Sequence, residues 1–302
     1  MGNNANGSAV QLYYIEEVAG AIPAVAPEFK PIRYVSQGLT PNIQQIDTNE
    51  MNQNRQKATS RGGTYSVAGE IAAEMSFGSF DDLIQAAMQG TWTADVLTIG
   101  KVERSFAIVE RHTDIDVDYV YRGCRISTMG ISVPLNAPVG LTFGVMGTEA
   151  EAYTMPADAT FAAATTTEIM VTTNIALTEA GAELAYATEW SATLDNGMEP
   201  IFALGSRSAY NIANGIATVT GSMSAYLIDG VLWGKVLNEE LTTHKIELVE
   251  GVQKYTIELP RVRYTQGQKQ VSGPGAIIPS YTLSAGYDGA AGTTMKITRT
   301  AA

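Results

Sequence analysis

Two stretches decide how this chain is read: Gly63-Thr-Tyr-Ser-Val-Ala-Gly69 and Gly215-Ile-Ala-Thr-Val-Thr-Gly221. Each has the form Gly-x-x-Ser/Thr-Val-x-Gly, which predicts a turn, a strand, and a second turn or bulge. Moving the chain by 152 positions superposes them without a gap, Gly63 falling on Gly215 and Val67 on Val219. The same shift carries Tyr34 onto Tyr186, Arg55 onto Arg207 and Ala73 onto Ala225.

A helix pattern follows each stretch. Phe80, Leu83, Ile84 and Ala87 share one helical face, with Ser79 placed to cap it, Asp81 and Asp82 in the first turn and Gly90 after the last. In the second half Asp229 precedes Val231, Leu232, Val236 and Leu237, and the pattern ends near Asn238. Phe80 falls on Leu232 and Ile84 on Val236. Downstream, Ser105-Phe-Ala-Ile aligns with Lys254-Tyr-Thr-Ile, and Cys124-Arg-Ile with Pro260-Arg-Val. The expectation is a duplicated strand-rich unit, residues 1–152 and 153–302, joined near 150–165.

The rest of the chain reads as short strands. Ser105 to Glu110, Val117 to Val120, Cys124 to Val133, Leu141 to Met146, Ile216 to Ser224, Lys245 to Val249, Tyr255 to Leu259, Ile277 to Ala285 and Met295 to Thr300 are rich in Val, Ile, Thr and Tyr and are bounded by Gly, Pro and Asn. The fold class is mainly β, with one short helix flanking each unit. Thr40 to Gly62 breaks the pattern. It is polar and rich in Asn and Gln, and reads as a long loop carrying Arg55, Lys57 and Arg61.

Composition sets the functional bounds. The 302 residues hold 19 Lys and Arg against 31 Asp and Glu, a net charge of −12. Each half nets −6, and no Lys or Arg occurs between Arg125 and Arg207. A pI near 4.6 excludes a protein that grips nucleic acid through its phosphates. One cysteine, Cys124, excludes a disulfide scaffold and a Cys-based zinc site. The polar N-terminus shows no signal peptide, and no apolar run reaches the length of a membrane span. Synthesis and folding in the cytoplasm are expected.

Other chemistry finds little support. Cys124, His112 and Asp114 lack any signature of a nucleophilic triad, and the small buried hydrophobe is the commoner reading of such a Cys. His244, beside Thr242 and Thr243, reads as a surface residue. Trp92, Trp190 and Trp233 with 14 tyrosines admit a carbohydrate- or receptor-binding β-sandwich, although core and interface aromatics explain them as well. No metal or cofactor is expected.

The order of several segments resembles a known family. Tyr13-Tyr-Ile-Glu-Glu-Val-Ala-Gly-Ala-Ile-Pro23 and Phe29-Lys-Pro-Ile-Arg-Tyr34 open the series. Gly69-Glu-Ile71, the helix from Ser79, Phe106-Ala-Ile-Val-Glu110 and Tyr121-Arg-Gly-Cys124 continue it, and Leu259-Pro-Arg-Val262 and Thr294-Met-Lys-Ile297 follow in the second half. Together they resemble the tail tube (major tail) proteins of long-tailed, non-contractile bacteriophages, over nearly the whole chain. The resemblance implies a β-sandwich or barrel-like virion subunit without catalytic residues. It implies rings stacked around the tape measure protein, bounded by tail terminator and distal tail proteins, with DNA passing through unbound.

On that resemblance three expectations rest. The duplication makes a homotrimer with pseudo-six-fold symmetry the natural ring. Arg55, Lys57 and Arg61 become inter-ring contacts to acidic surface. Asp114, Asp116 and Asp118, at i, i+2, i+4, would share one face of a strand and line the lumen, with a solvated edge as the plainer alternative.

Overall fold

Alternation builds the sheets. From Glu189 to Asp195, Trp190, Ala192 and Leu194 are buried, whereas Glu189, Thr193 and Asp195 are exposed. The same two-residue period runs through Val67, Ile71 and Ala73, and through Met129, Ile131 and Val133. The computed structural model describes residues 4–50, 54, 56–57, 59–271 and 273–301.

The first half contributes β1 (Val10–Glu16), β2 (Glu28–Pro31), β3 (Ser36–Gln37), β4 (Thr40–Ile46), β5 (Arg61–Glu74), β6 (Val96–Thr98), β7 (Phe106–His112), β8 (Val117–Pro134), β9 (Gly140–Gly147) and β10 (Glu149–Tyr153), with helix α1 (Asp81–Ala87) before β6. The second contributes β11 (Thr160–Phe161), β12 (Ile175–Glu179), β13 (Ala182–Glu183), β14 (Ala187–Asp195), β15 (Glu199–Ile201), β16 (Asn211–Ala213), β17 (Thr218–Ala225), β18 (Leu241–Glu250), β19 (Gln253–Gln268), β20 (Ser280–Ala285) and β21 (Lys296–Thr300), with α2 (Val231–Leu237) before β18. The protein is mainly β, as the strand pattern predicts.

The connectivity repeats. In the first half β1, β7, β8, β9, β5 and β4 are successive antiparallel neighbours. In the second, β12, β18, β19, β20, β17 and β14 follow in the same order. Even the irregularities recur. The bulge between Phe106 and Ile108 has its counterpart between Thr242 and His244, and that between Ile126 and Thr128 between Tyr264 and Gln266.

This register corrects two alignments. The counterpart of Ser105–Ile108 lies in β18, not at Lys254–Ile257, and Cys124–Ile126 corresponds to Val262–Tyr264, not to Pro260–Val262. The chain between α1 and β7 holds β6, whereas α2 leads almost directly into β18, so the offset changes there.

The glycine motif is turn–strand–turn in neither half: Gly215 precedes β17 as expected, but Gly221 lies inside it. Gly63 and Gly69 both lie inside β5. A Cβ on Gly69 would sit 2.3 Å from the Gly38 carbonyl oxygen, and one on Gly221 would sit 2.2 Å from that of Ser191. Both glycines admit the backbone of the neighbouring strand.

Helix capping differs from expectation as well. Phe80 holds the N-cap position of α1 without a side-chain hydrogen bond, and Ser79 Oγ lies 2.6 Å from Ser76 Oγ instead. Asp229 does serve α2, where its carboxylate accepts from the Val231 amide at 3.0 Å.

The halves share hydrogen bonds and core. β14 pairs antiparallel with β8 from Glu189↔Pro134 to Asp195↔Thr128, and β6 pairs with β21. One apolar cluster runs from Leu12 and Phe80 to Leu283 and Ile297, with α1 burying Leu83, Ile84, Ala86 and Ala87 against it. The segment joining the halves is laid on the first, through β10 on β8 and β11 on β2, and the 152/153 boundary falls within β10.

Candidate functional site

Eight strands form one uninterrupted antiparallel surface across both halves, in the order β4, β5, β9, β8, β14, β17, β20, β19. Its inner face packs the core. Its outer face takes the alternate residues: Ser66 and Glu70 on β5, Thr142 on β9, Ser132 on β8, Thr193 and Asp195 on β14, Thr220 and Ser222 on β17, and Thr282 on β20. Among the described residues the cations that alternation assigns to this face are Arg125, Arg261 and Arg263; Arg125 and Arg263 each face an acid, and Arg261 donates to the Tyr287 carbonyl at 3.5 Å. Arg125 lies 3.0 Å from Glu103, and Arg263 lies 3.7 Å from Glu239. The result is a wall made mainly of short hydroxyl side chains and carboxylates with few cations, which gives a polyanion little to hold.

This surface holds together through the junction between halves. Asn196 is buried there, donating Nδ2 to the carbonyls of Ala87 at 2.8 Å and Ile126 at 3.2 Å. Arg125 reaches across from β8 to the Ile212 carbonyl at 3.1 Å. At the other end of α1, Asp81 accepts from the Tyr255 hydroxyl and the Arg299 guanidinium, and Asp82 accepts from Tyr14 at 3.1 Å. Burial, then the Asp81 charge, pushes the Tyr255 phenol up.

The predicted site residues fall elsewhere. Arg55 lies outside the described residues. Thr40–Gly62 is not a loop throughout: Thr40–Ile46 is the exposed strand β4, and it forms a hairpin by pairing antiparallel with the start of β5. Lys57 sits 2.6 Å from Asp47 within that hairpin, and Arg61 is exposed at the start of β5. Asp114, Asp116 and Asp118 do not share a strand face. Asp114 and Asp116 occupy the turn between β7 and β8, Asp116 with φ 53, and only Asp118 is in a strand. Asp114 accepts from the Asn6 amide at 2.6 Å. Asp118 lies 3.6 Å from Arg111, and desolvation outweighs that cation, raising its pKa.

The remaining chemistry does not assemble. Cys124 is fully buried, its thiol pushed up by desolvation, and it pairs with Phe106 while His112 pairs with Val117 at the far end of the same ladder. Trp190 is core, Trp92 lies under the Arg299 guanidinium at 4.6 Å, and Trp233 lies under Lys269 at 5.4 Å. Among the described residues no group of three or more His, Cys, Asp or Glu converges to hold a metal ion. Among the described residues no helix is long and apolar enough to cross a membrane.

The hydroxyl-rich face escaped the sequence reading because it is assembled from alternate residues of strands far apart in the chain. Its one linear trace was the cation-free run from Arg125 to Arg207.

The chain matches the family model of the phage tail tube proteins over residues 7–287. The chain belongs to the phage tail tube protein family, and its role is structural, in the tail of the virion. No curated protein matches it.

Proposed function

We propose that this chain closes head to tail into rings, and that the rings stack into the tube of a long, non-contractile tail, assembled in the host cytoplasm. One observation carries the reading: the outer face of the eight-strand surface presents Ser, Thr, Glu and Asp along strands from both halves. Continued from copy to copy, that surface becomes the wall of a channel through which DNA slides without specific binding. The sheet face, rather than the turn carrying Asp114, Asp116 and Asp118, lines it. Residues 1–152 and 153–302 act as two tandem units, so a homotrimer gives a pseudo-six-fold ring. The β4–β5 hairpin, with Arg55, Lys57 and Arg61, reaches the neighbouring ring. The tape measure protein occupies the channel during assembly, and tail terminator and distal tail proteins close the two ends. The chain needs no cofactor and catalyses nothing.

Electron microscopy of the purified protein tests this. Hollow tubes of uniform width with three-fold ring symmetry are expected. Subunits that stay monodisperse with the tape measure protein present, and that bind glycans, would overturn it in favour of a carbohydrate-binding module. Strict six-fold symmetry would reject the trimer alone. Removing residues 44–60 should leave folded subunits that form no tubes.

A further inference from the structure

The junction inside the chain is a template for the junction between chains. β8 is held by β9 on one side and, over its C-terminal part, by β14 on the other. The counterpart of β8 is β19, which is held by β20 over Val262–Gln268 and released by β18 after Arg263. Among the described residues no strand pairs with the second edge of β19 beyond that point. The counterpart of β14 is the segment Ser36–Asn42, because Gln37↔Ile71 and Pro41↔Val67 correspond to Trp190↔Met223 and Leu194↔Val219. Its outer edge, too, has no strand beside it among the described residues.

Both edges show the mark of a missing neighbour. β8, lined by β14, runs on to Pro134, whereas β19 stops at Gln268, the counterpart of Gly130. β14 is continuous from Ala187 to Asp195, whereas its counterpart is broken into β3 and β4. At that break the Leu39 amide donates to its own neighbour's side chain, Gln37 Oε1, at 2.9 Å, and Pro41 has no amide hydrogen. Such features blunt an edge strand in the free subunit. The ion pair of the junction is duplicated as well: Arg263–Glu239 repeats Arg125–Glu103. Arg125 goes on to the Ile212 carbonyl, while Arg263 has no such acceptor among the described residues of its own chain and is half exposed.

We infer that β19 of one chain pairs antiparallel with the β3–β4 segment of the next, in the register of the β8–β14 junction. Carrying that register across sets Gln266 opposite Asn42, Gln268 opposite Thr40, Lys269 opposite Leu39 and Val271 opposite Gln37. Arg263 then meets the carbonyl of the partner's Ser60, the counterpart of Ile212. The inference rests on the ring reading above and deepens it, because it names the edge, the polarity and the register by which a ring closes. Gly38 donates to Glu70 on β5, so Thr40, two residues on, also faces β5 with its backbone. Thr40↔Gln268 is therefore a non-hydrogen-bonded pair, where the Cα atoms approach to about 4.5 Å, close enough for a disulfide.

Cysteine pairs in assembled tubes test this. Native Cys124 is fully buried and does not compete. Within one chain, Gly130→Cys with Thr193→Cys serves as control, since a Cβ on Gly130 meets Thr193 Oγ1 at an ordinary 3.7 Å. Thr40→Cys with Gln268→Cys should, on oxidation, give a covalent ladder on denaturing gels that ends at the ring copy number, expected to be the trimer. Thr40→Cys with Lys269→Cys places the thiols on opposite faces and should give none. Tubes in which the first pair links no better than the second overturn the register. If the cysteine variants do not assemble, amide exchange on wild-type tubes decides. Slowed exchange over 37–42 and 264–271 relative to free subunits supports the inference, and unchanged exchange there overturns it. Wild-type protein that forms no tubes at all sinks the ring reading itself, a distinct result.

Discussion

Beneath the two helices the halves place different chemistry on the same backbone. In the first half Tyr14, Leu83, Ile108 and Ile126 fill the space between α1, β1, β7 and β8. At the corresponding positions the second half has Glu179, Lys235, His244 and Tyr264. These four form a connected polar cluster. Lys235 Nζ lies 2.8 Å from Glu179, the Tyr264 hydroxyl donates to Glu179 at 3.0 Å, and His244 Nε2 lies 2.9 Å from that hydroxyl. His244 is therefore not a surface residue: it is 1% exposed. The fold accepts either filling because strand pairing, not side-chain identity, sets its frame. The polar filling is the more fragile, since every member depends on its partners.

Removing one partner should have the largest effect. Lys235→Met leaves the Glu179 carboxylate, 5% exposed, without its cation, and should lower stability by about 3–5 kcal/mol in denaturant unfolding. Leu83→Met at the matching position in the first half exchanges apolar groups of similar volume and should cost under about 1.5 kcal/mol. Equal losses would break the comparison. Replacing all four polar residues by their first-half counterparts should be neutral or stabilising, because a buried ion pair contributes little over a well-packed apolar filling.

The glycines come next and bear on what the halves share. Gly69→Ala and Gly221→Ala each force a methyl into a carbonyl of the neighbouring strand, which cannot retreat without disturbing its own ladder. Each should cost about 3 kcal/mol, the upper range for overpacking. Matched losses in thermal unfolding would show that the two positions are mechanically equivalent, and a loss at one alone would show that they are not.

Acid should separate the halves further. Desolvation, the largest influence on His244, lowers its pKa from 6.5 to about 4, opposed by Glu179 and reinforced by Lys235. The unfolded chain thus binds the proton at a higher pH than the folded one. Stability is retained above about pH 6.5 and declines as pH falls toward 4. Ile108 carries no such dependence. His244→Ile should flatten the difference between denaturant midpoints at pH 7.5 and pH 5, and an unchanged difference would remove His244 as its source.

These contrasts also explain what could be read in the sequence. The strands were legible, because alternation of buried and exposed residues is local. His244 was legible in principle: Thr242, His244, Ile246 and Leu248 alternate as a buried face, and the hydroxyls beside it hid that period. Asp114, Asp116 and Asp118 misled because spacing by two implies a shared face only in a strand, and Thr113–Asp116 is a turn. The downstream offset misled because strands of like composition align as well out of register as in it. The outer face and the open edges of β19 and β4 were not legible, since they exist only once strands from both halves are set side by side.

The smallest effect on the subunit is expected on that outer face. Thr220 and Thr282 are exposed there, on β17 and β20, with no side-chain partner in the core. Thr220→Lys and Thr282→Lys should change stability by no more than about 0.5 kcal/mol and leave tubes intact, since exposed positions of this kind tolerate substitution. Yet in the proposed three-chain ring they would add six cations to a face made mainly of hydroxyl and carboxylate side chains. Each cation near the DNA path adds counterion-releasing contacts, so passage should slow, and the slowing should fade as salt is raised. DNA ejection measured at low and high salt reads this directly. Unchanged ejection from normal tubes at low salt would place the channel on some other face than the one the two halves build together.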